Sequence, residues 1–442
     1  MSREYEKVDA ELLERGFTRL VFDRGRIEAL LDLLGSPQRA YPSIHVTGTN
    51  GKTSTARMID SLLRAHGLRT GRYTSPHLQT VRERISVDGE PISEEAFVRV
   101  YREVAPLAAL VDKQYDEPLT YFDMTTALAF AAFADAPVDV AVVEVGLGGE
   151  TDSTNVIGAG TCVLTPIGMD HTEWLGDSIE EITRMKLGIV HSGATLVSAA
   201  QPEEAARPIL EHCATVGATL AREGAEFGVL RRNLAVGGQV LTLQGLSGVY
   251  DEVFVPLHGA HQAQNAAVAL ATVEAFLGAG VDRELDPDLI REGFADVTVP
   301  GRMERVRTAP TVLLDAAHNP AGMAATASTL VEEFSFRRLI AVLAVLGDKD
   351  VRGMLEQLEP AVDAVVVTQN SSSRALPVED LAPLARQVFG TDRVKVAPNL
   401  LQAIDTAVEL AEQDPQAALG GVGVVITGSV VTVADARRMF RR

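Results

Sequence analysis

The chain has 442 residues, 46% hydrophobic and 23% charged, enough for two or three domains with sizeable cores. Its formal net charge of −20 argues against a nucleic-acid or broad anionic-surface partner, which would need clustered cations. No uninterrupted apolar stretch reaches the roughly 18 residues of a membrane span, the opening MSREYEKVDAELLERG lacks a signal-peptide core, and two cysteines, Cys162 and Cys213, are too few for a disulfide framework, so no membrane partner and a cytoplasmic address are expected.

In chain order, SIHVTG, VDVAVVEVG and TCVLTPIG read as strands in the first part. TVLLDAAH, RLIAVLAVLG, DAVVVTQ and VGVVITGS follow in the second. Each run is almost continuously apolar, as strands covered on both faces are. Helical patterns lie between them, over 52–66, 93–110, 119–135, 178–191 and 260–278, then 320–334, 378–389, 399–412 and 430–440. Ser178 with Glu181 resembles a capping box, and Gly67 ends the first helix. Residues 226–256 differ: short, alternating, glycine-punctuated runs predict an antiparallel meander attached to the first sheet. After a helix over 286–295 and the stretch TVPGR, a new strand–helix series starts, so the domain boundary is placed near 297. The expected fold is α/β in two domains. Residues 1–296 would form a P-loop mononucleotide-binding parallel sheet with an added small antiparallel sheet, and 297–442 a smaller Rossmann-like α/β domain.

Between the first strand and its helix stands Gly48-Thr49-Asn50-Gly51-Lys52-Thr53, followed by Ser54. Glycines let the backbone curl so that its N–H groups face an anion, and the helix start adds partial positive charge. Lys52 is placed to reach β/γ-phosphate oxygens, and Thr53 or Ser54 to bind Mg²⁺. The usual G-x-x-x-x-G-K-[ST] has its first glycine where this chain has Val46, so the loop is a shorter G-x-x-G-K-T. A strand-to-helix turn with a solvated lysine is the competing reading of the pattern alone. Glu144 closes an apolar strand at the ligand-binding edge of a parallel sheet, where a hard cation would take its oxygens.

The loop resembles the ATP loop of the Mur ligase superfamily. TSPHL, ERI, VVEVGLGG, DHTEWLG, HQAQNAA, PGRMERV and DAAHNP then follow in the order found in its folylpolyglutamate synthase and dihydrofolate synthase branch, over nearly the whole chain. The resemblance implies an ATP-dependent carboxylate–amine ligase, in which an acid attacks the γ-phosphoryl group and the resulting acyl phosphate is captured by the amine of L-glutamate. Dihydropteroate or reduced folates are the implied acceptors, and a monomer is expected. Closure of the second domain over the first would keep water from the acyl phosphate. Ser75, Glu144 and His171 are the implied Mg²⁺ ligands, with Lys186 joining them through carbamylation; two Mg²⁺ sites are expected. Thr49, Asn50, Gly51, Lys52, Thr53, Ser54, Asn265, Arg302 and Asp315 would meet the nucleotide. Lys52, Lys186 and His318 would serve the chemistry. Arg84, Phe122, Asp152, Asn155, His318 and Ser429 would meet acceptor or glutamate.

The chain departs from the family pattern at Glu150, usually arginine, at Ser153, usually alanine, and at Met185 and Leu187 around Lys186. These positions cluster near the implied acceptor and second metal. Two other readings therefore stay open: a paralogue ligating an amino acid to a non-folate acid, and a nucleotide-binding protein without catalysis.

Overall fold

The computed structural model describes residues 2–16, 19–279, 283–413 and 421–440. It divides into two compact units. The first comprises Met1–Asn233, Val240–Pro256 and Ala263–Val297; the second comprises Leu234–Gln239, Leu257–Gln262 and Thr298–Arg442.

The first unit is built on eight strands: β1 (Ser43–Thr47), β2 (Thr70–Tyr73), β3 (Ile85–Val87), β4 (Glu90–Pro91), β5 (Val140–Glu144), β6 (Thr161–Leu164), β7 (Thr195–Ser198) and β8 (Thr219–Arg222). Their order is β4-β3-β2-β5-β1-β6-β7-β8. The pairs from β2 to β8 are parallel, and β3 and β4 add antiparallel to the edge. β1 is buried along its length between β5 and β6, so its C-terminal end opens among several strand ends. That is where an open α/β sheet binds ligands. The register Val46↔Glu144 and Thr47↔Leu164 brings the end of β1 level with the ends of both neighbours.

The expected meander is present as a three-stranded sheet of its own: β9 (Gly228–Ala235), β10 (Gly238–Gln244) and β11 (Val249–Val255). Its three strands pair with one another, in the order β11-β10-β9. The connections, Val236–Gly237 and 245–248, are too short for anything but antiparallel neighbours.

The second unit carries β12 (Glu304–Thr308), β13 (Thr311–Leu314), β14 (Arg338–Leu343), β15 (Ala364–Val367), β16 (Val394–Val396) and β17 (Val422–Thr427), in the order β12-β13-β17-β14-β15-β16. All pairs but β12–β13 are parallel. Helices Lys52–Ala65, Glu94–Val111, Tyr121–Asp135, Ala260–Leu277, Pro287–Ala295, Pro320–Glu333, Val378–Phe389, Leu400–Glu412 and Val430–Phe440 agree with the periodicity. The helix expected over 178–191 runs Ile179–Leu187 and ends at Gly188. Ser178 accepts the Glu181 N–H, while the Glu181 carboxylate takes the amide of Asp177 instead of completing the box on Ser178. Each unit has a separate apolar core. Both cysteines are buried and reduced, and among the described residues no helix is long and apolar enough to cross a membrane.

Candidate active site

The loop after β1 turns on two glycines. Gly48 has φ +143° with Thr165 directly behind it, and Gly51 has φ +87° with the Asn265 amide against it; a Cβ at either would collide. Gly51 caps helix Lys52–Ala65, which starts at the lysine itself. The amides of Thr49 and Asn50 donate to the Pro166 carbonyl at 3.0 and 3.2 Å, and the Thr49 hydroxyl donates to the Gly168 carbonyl at 3.1 Å. Thus the 165–168 segment, which the sequence reading did not single out, holds the loop from the next strand end.

Two lysines meet on one oxygen. Lys52 Nζ lies 3.1 Å and Lys186 Nζ 2.9 Å from the Gly48 carbonyl. Lys52 also reaches the Thr49 carbonyl at 3.2 Å. Lys186 is buried, and burial lowers its pKa to about 7, helped by the Lys52 charge and opposed by Asp170 and Asp152. At neutral pH much of Lys186 is therefore an uncharged, nucleophilic amine.

Glu144 is buried at the end of β5. Its carboxylate accepts the Thr53 hydroxyl at 2.9 and 3.0 Å and the Ser75 amide at 3.3 Å. The structure thus joins Thr53, Ser75 and Glu144 beside the loop. The Glu144 carboxylate and the Thr53 hydroxyl are oxygen donors of the kind a hard divalent cation takes, so these two fit Mg²⁺, while Ser75 turns its backbone N–H to Glu144. His171 is exposed at φ +53°, its backbone N–H bonded to Asp170. Among the described residues no three His, Cys, Asp or Glu side chains cluster as a metal site.

Toward the implied acceptor region, Arg84 is buried, donates from Nε to His77 Nδ1 at 3.0 Å and lies 5.2 Å from the Tyr121 ring centre. Phe122 packs near Tyr73, ring centres 5.9 Å apart. Asp152 accepts the Leu147 and Thr154 amides and the Thr154 hydroxyl; burial raises its pKa and these bonds pull it back. Asn155 donates to the carbonyls of Glu150 and Gly188, and its side-chain oxygen meets His191 Nε2 at 3.0 Å. Asp152 and Asn155 therefore shape the 146–155 loop from inside. The departures acquire local reasons. Ser153 donates to the buried Asp123 at 2.6 Å, beside the Arg26 guanidinium at 3.3 Å, a bond alanine could not make. Met185 and Leu187 pack into the first core, and Glu150 is exposed.

In the second unit, Asp315 follows β13 and accepts the Met303 and Ala317 amides and the Thr326 hydroxyl. His318 Nδ1 lies 3.0 Å from the Ala316 carbonyl, which fixes a proton on that nitrogen. Ser429 is buried, accepts the Thr432 amide and is joined by Asn370. Arg302 is half-buried at the turn after Val299.

Residues 46–273 match the Mur ligase middle domain and residues 301–430 the Mur ligase glutamate ligase domain. Fold and phosphate loop together define an ATP-dependent ligase of the Mur class. The chain is 55% identical over 444 residues to the dihydrofolate synthase/folylpolyglutamate synthase of Mycobacterium tuberculosis (strain ATCC 25618 / H37Rv), across 96% of this chain and 91% of that protein. It matches the M. tuberculosis folylpolyglutamate synthase complexed with ADP at a TM-score of 0.95 and 55% identity, covering 99% of this chain and 98% of that one. An FPGS–AMPPCP–folate complex matches at 0.84 and 33% identity, over 98% and 99% of the two chains. The chain belongs to the folylpolyglutamate synthase/dihydrofolate synthase family of Mur ligases.

Proposed function

We propose that the enzyme adds L-glutamate to dihydropteroate, to the glutamyl chain of reduced folates, or to both, releasing ADP and phosphate through an acyl phosphate. The observation that carries this reading is the meeting of Glu144, Thr53 and Ser75 beside the lysine-bearing loop. The glycine turn and Lys52 grip the β- and γ-phosphates, with Thr49, Asn50, Gly51, Thr53, Ser54 and Asn265 lining the nucleotide. Lys52 leaves the Gly48 and Thr49 carbonyls to do so, which also relieves its repulsion of Lys186. Glu144, Ser75 and Thr53 would hold one Mg²⁺; His171 and a carbamylated Lys186 would hold a second. Bound there, Mg²⁺ neutralises charge on the phosphoryl group in transfer. A neutral Lys186 amine is what carbon dioxide adds to: the new N–C bond forms with loss of one N–H proton to solvent, and the carbamate would be an anionic oxygen ligand. Labelling with ¹³C-bicarbonate should give a carbamate resonance that Lys186→Arg abolishes.

Arg84 and Phe122 are proposed to meet the acceptor, with Asp152 and Asn155 acting through the 146–155 loop they hold. We assign nucleotide and acceptor binding to residues 1–296 and glutamate binding to 297–442. Beyond that division, Arg302 and Asp315 are also assigned to the nucleotide, Asp315 through the backbone it fixes, while His318 and the helix start at Ser429 receive the amino acid. The enzyme would work as a cytoplasmic monomer. The test is turnover with dihydropteroate, tetrahydrofolate and unrelated carboxylic acids, read by ADP release and product mass. A product one glutamyl residue heavier, formed only with ATP and glutamate, is expected with a folate. ADP release stimulated by another acid and by no folate would overturn the reading.

A further inference from the structure

The segment 74–80 joins β2 to the 3₁₀ turn Val81–Arg84, and it contains Ser75 and His77. Its backbone donors have few helix or sheet partners of their own. The Thr74 amide bonds the Arg84 carbonyl at 3.0 Å, and the Ser75 amide bonds Glu144. Pro76 has no donor. The amides of Leu78, Gln79 and Thr80 all end on one carboxylate, that of Glu83, at 2.9, 3.0 and 3.1 Å. A capping box needs only the last of these bonds, that to the Thr80 amide, and the box is complete here. Glu83 reaches two residues further back and gathers the whole descending limb of the loop. Charge-assisted bonds of this kind are about twice as strong as neutral ones.

The same carboxylate is linked to the nucleotide side. Arg57, half-buried on helix Lys52–Ala65, interacts electrostatically with both Glu83 and Glu144. The cation stands on the helix that begins at Lys52; Asp60 of the same helix also acts on it, and its other two acidic neighbours, Glu83 and Glu144, hold the two limbs of one loop. On the far side of the loop, Arg84 bonds His77.

We propose that Glu83 is a positioning residue for the ligation reaction: by holding three successive amides it sets loop 74–80 so that the Ser75 amide lies on Glu144 and His77 on Arg84. This rests on the reading that the loop borders the reacting groups. Glu83 acts through the loop and touches no reacting atom.

The test uses the full chain with Glu83→Gln and Glu83→Ala. Gln keeps one acceptor oxygen; Ala keeps none. Expected is a graded loss of kcat/KM for the folate acceptor, about 10-fold for Gln and about 100-fold for Ala, on the scale at which small misplacements lower rates. ADP affinity should stay within about 2-fold and melting temperature nearly constant, because the loop is a local unit. Amide exchange should accelerate at residues 78–80 and not in helix Lys52–Ala65. Unchanged exchange at 78–80 in Glu83→Ala would overturn the proposal, as would faster exchange there with wild-type kcat/KM. Parallel losses of activity, ADP affinity and melting temperature would make Glu83 a structural residue only. A wild-type chain inert toward every folate would instead overturn the acceptor reading, and the exchange measurement would still decide the role of Glu83.

Discussion

His45 sits in the middle of β1 with no solvent access, two strand residues, Val46 and Thr47, before the glycine loop. The Thr154 hydroxyl gives its proton to Asp152, so the 2.9 Å contact between His45 Nε2 and Thr154 is donated by the ring. Nδ1 is then the bare nitrogen, buried without a hydrogen-bond partner, and a proton arriving there would gain nothing. Burial, followed by the nearby His191, accordingly lowers the His45 pKa to about 3. The unfolded chain takes up this proton near pH 6.5 and the folded chain only near 3, so the unfolded state binds more protons between those values. Stability should therefore fall as pH drops through that window, by about 2 kcal/mol from this residue between pH 7.5 and 5. Urea midpoints of the wild type and His45→Asn at both pH values check it. The variant should lose about one proton's worth of pH dependence, and equal slopes would show that His45 is protonated in the folded state.

Elements show where sequence reading reaches and where it stops. The strands that were legible, β1, β5, β6, β13, β14, β15 and β17, are buried and nearly all apolar, so their pattern is their environment. β2, with sequence TGRY, was not legible, because its Arg72 is buried through tertiary partners: Asp60 on the preceding helix, the Ser86 hydroxyl and the Gly89 carbonyl. Helix Arg3–Leu13 escaped because its charged residues outnumber a narrow buried stripe of Tyr5, Val8 and Leu12, and Gly25–Leu33 because it is short and buries Arg26 with its apolar residues. At the candidate site, the pattern singles out Lys52 by its glycine loop and Glu144 by its strand end, and the structure brings both to neighbouring strand ends. Spacing does not show that Asp315, Asn155 and Ser429 also hold their own backbone, since a carboxylate or amide bonded to its own chain has the same sequence signature as one awaiting a ligand. Glu274 makes the point within helix Ala260–Leu277. Fully buried, it binds the amides of Leu246 and Ser247 and the hydroxyls of Ser247 and Tyr250, and so fixes the turn between β10 and β11. Glu274→Gln places an NH₂ group against donors and should cost about 3 kcal/mol. The exposed Arg352–Glu356 pair, removed as a control, should cost under about 0.5 kcal/mol. Denaturant midpoints at unchanged m-value give both numbers.

At the scale of the whole molecule, the chain passes between its two compact units at 233/234, 239/240, 256/257, 262/263 and 297/298. Two short segments, Leu234–Gln239 and Leu257–Gln262, thus belong with residues far along the chain, and a single cut near 297 does not foresee them. Within the second unit this is concrete: the Glu333 carboxylate bonds His258 Nδ1 and the Gly259 amide. Charge is also a property of the whole. The formal charge of the chain is −20, whereas a nucleotide bound as proposed would be attracted by a few local groups, chiefly Lys52 with the helix start behind it. Lys186 contributes less, being partly neutral at pH 7. Local contacts act over a few ångströms, whereas the net field acts over the Debye length, about 30 Å at 0.01 M salt and about 8 Å at 0.15 M. An approaching nucleotide at low salt therefore meets repulsion long before it reaches the loop. Added salt shortens the repulsion and leaves the short-range contacts largely intact, so association should quicken, opposite to the usual slowing for steered binding. Stopped-flow association of ADP or AMPPCP from 0.01 to 0.15 M KCl at fixed Mg²⁺ should show a rise of about 2- to 5-fold in the on-rate. A fall would mean that a local cationic field outreaches the net charge of the chain.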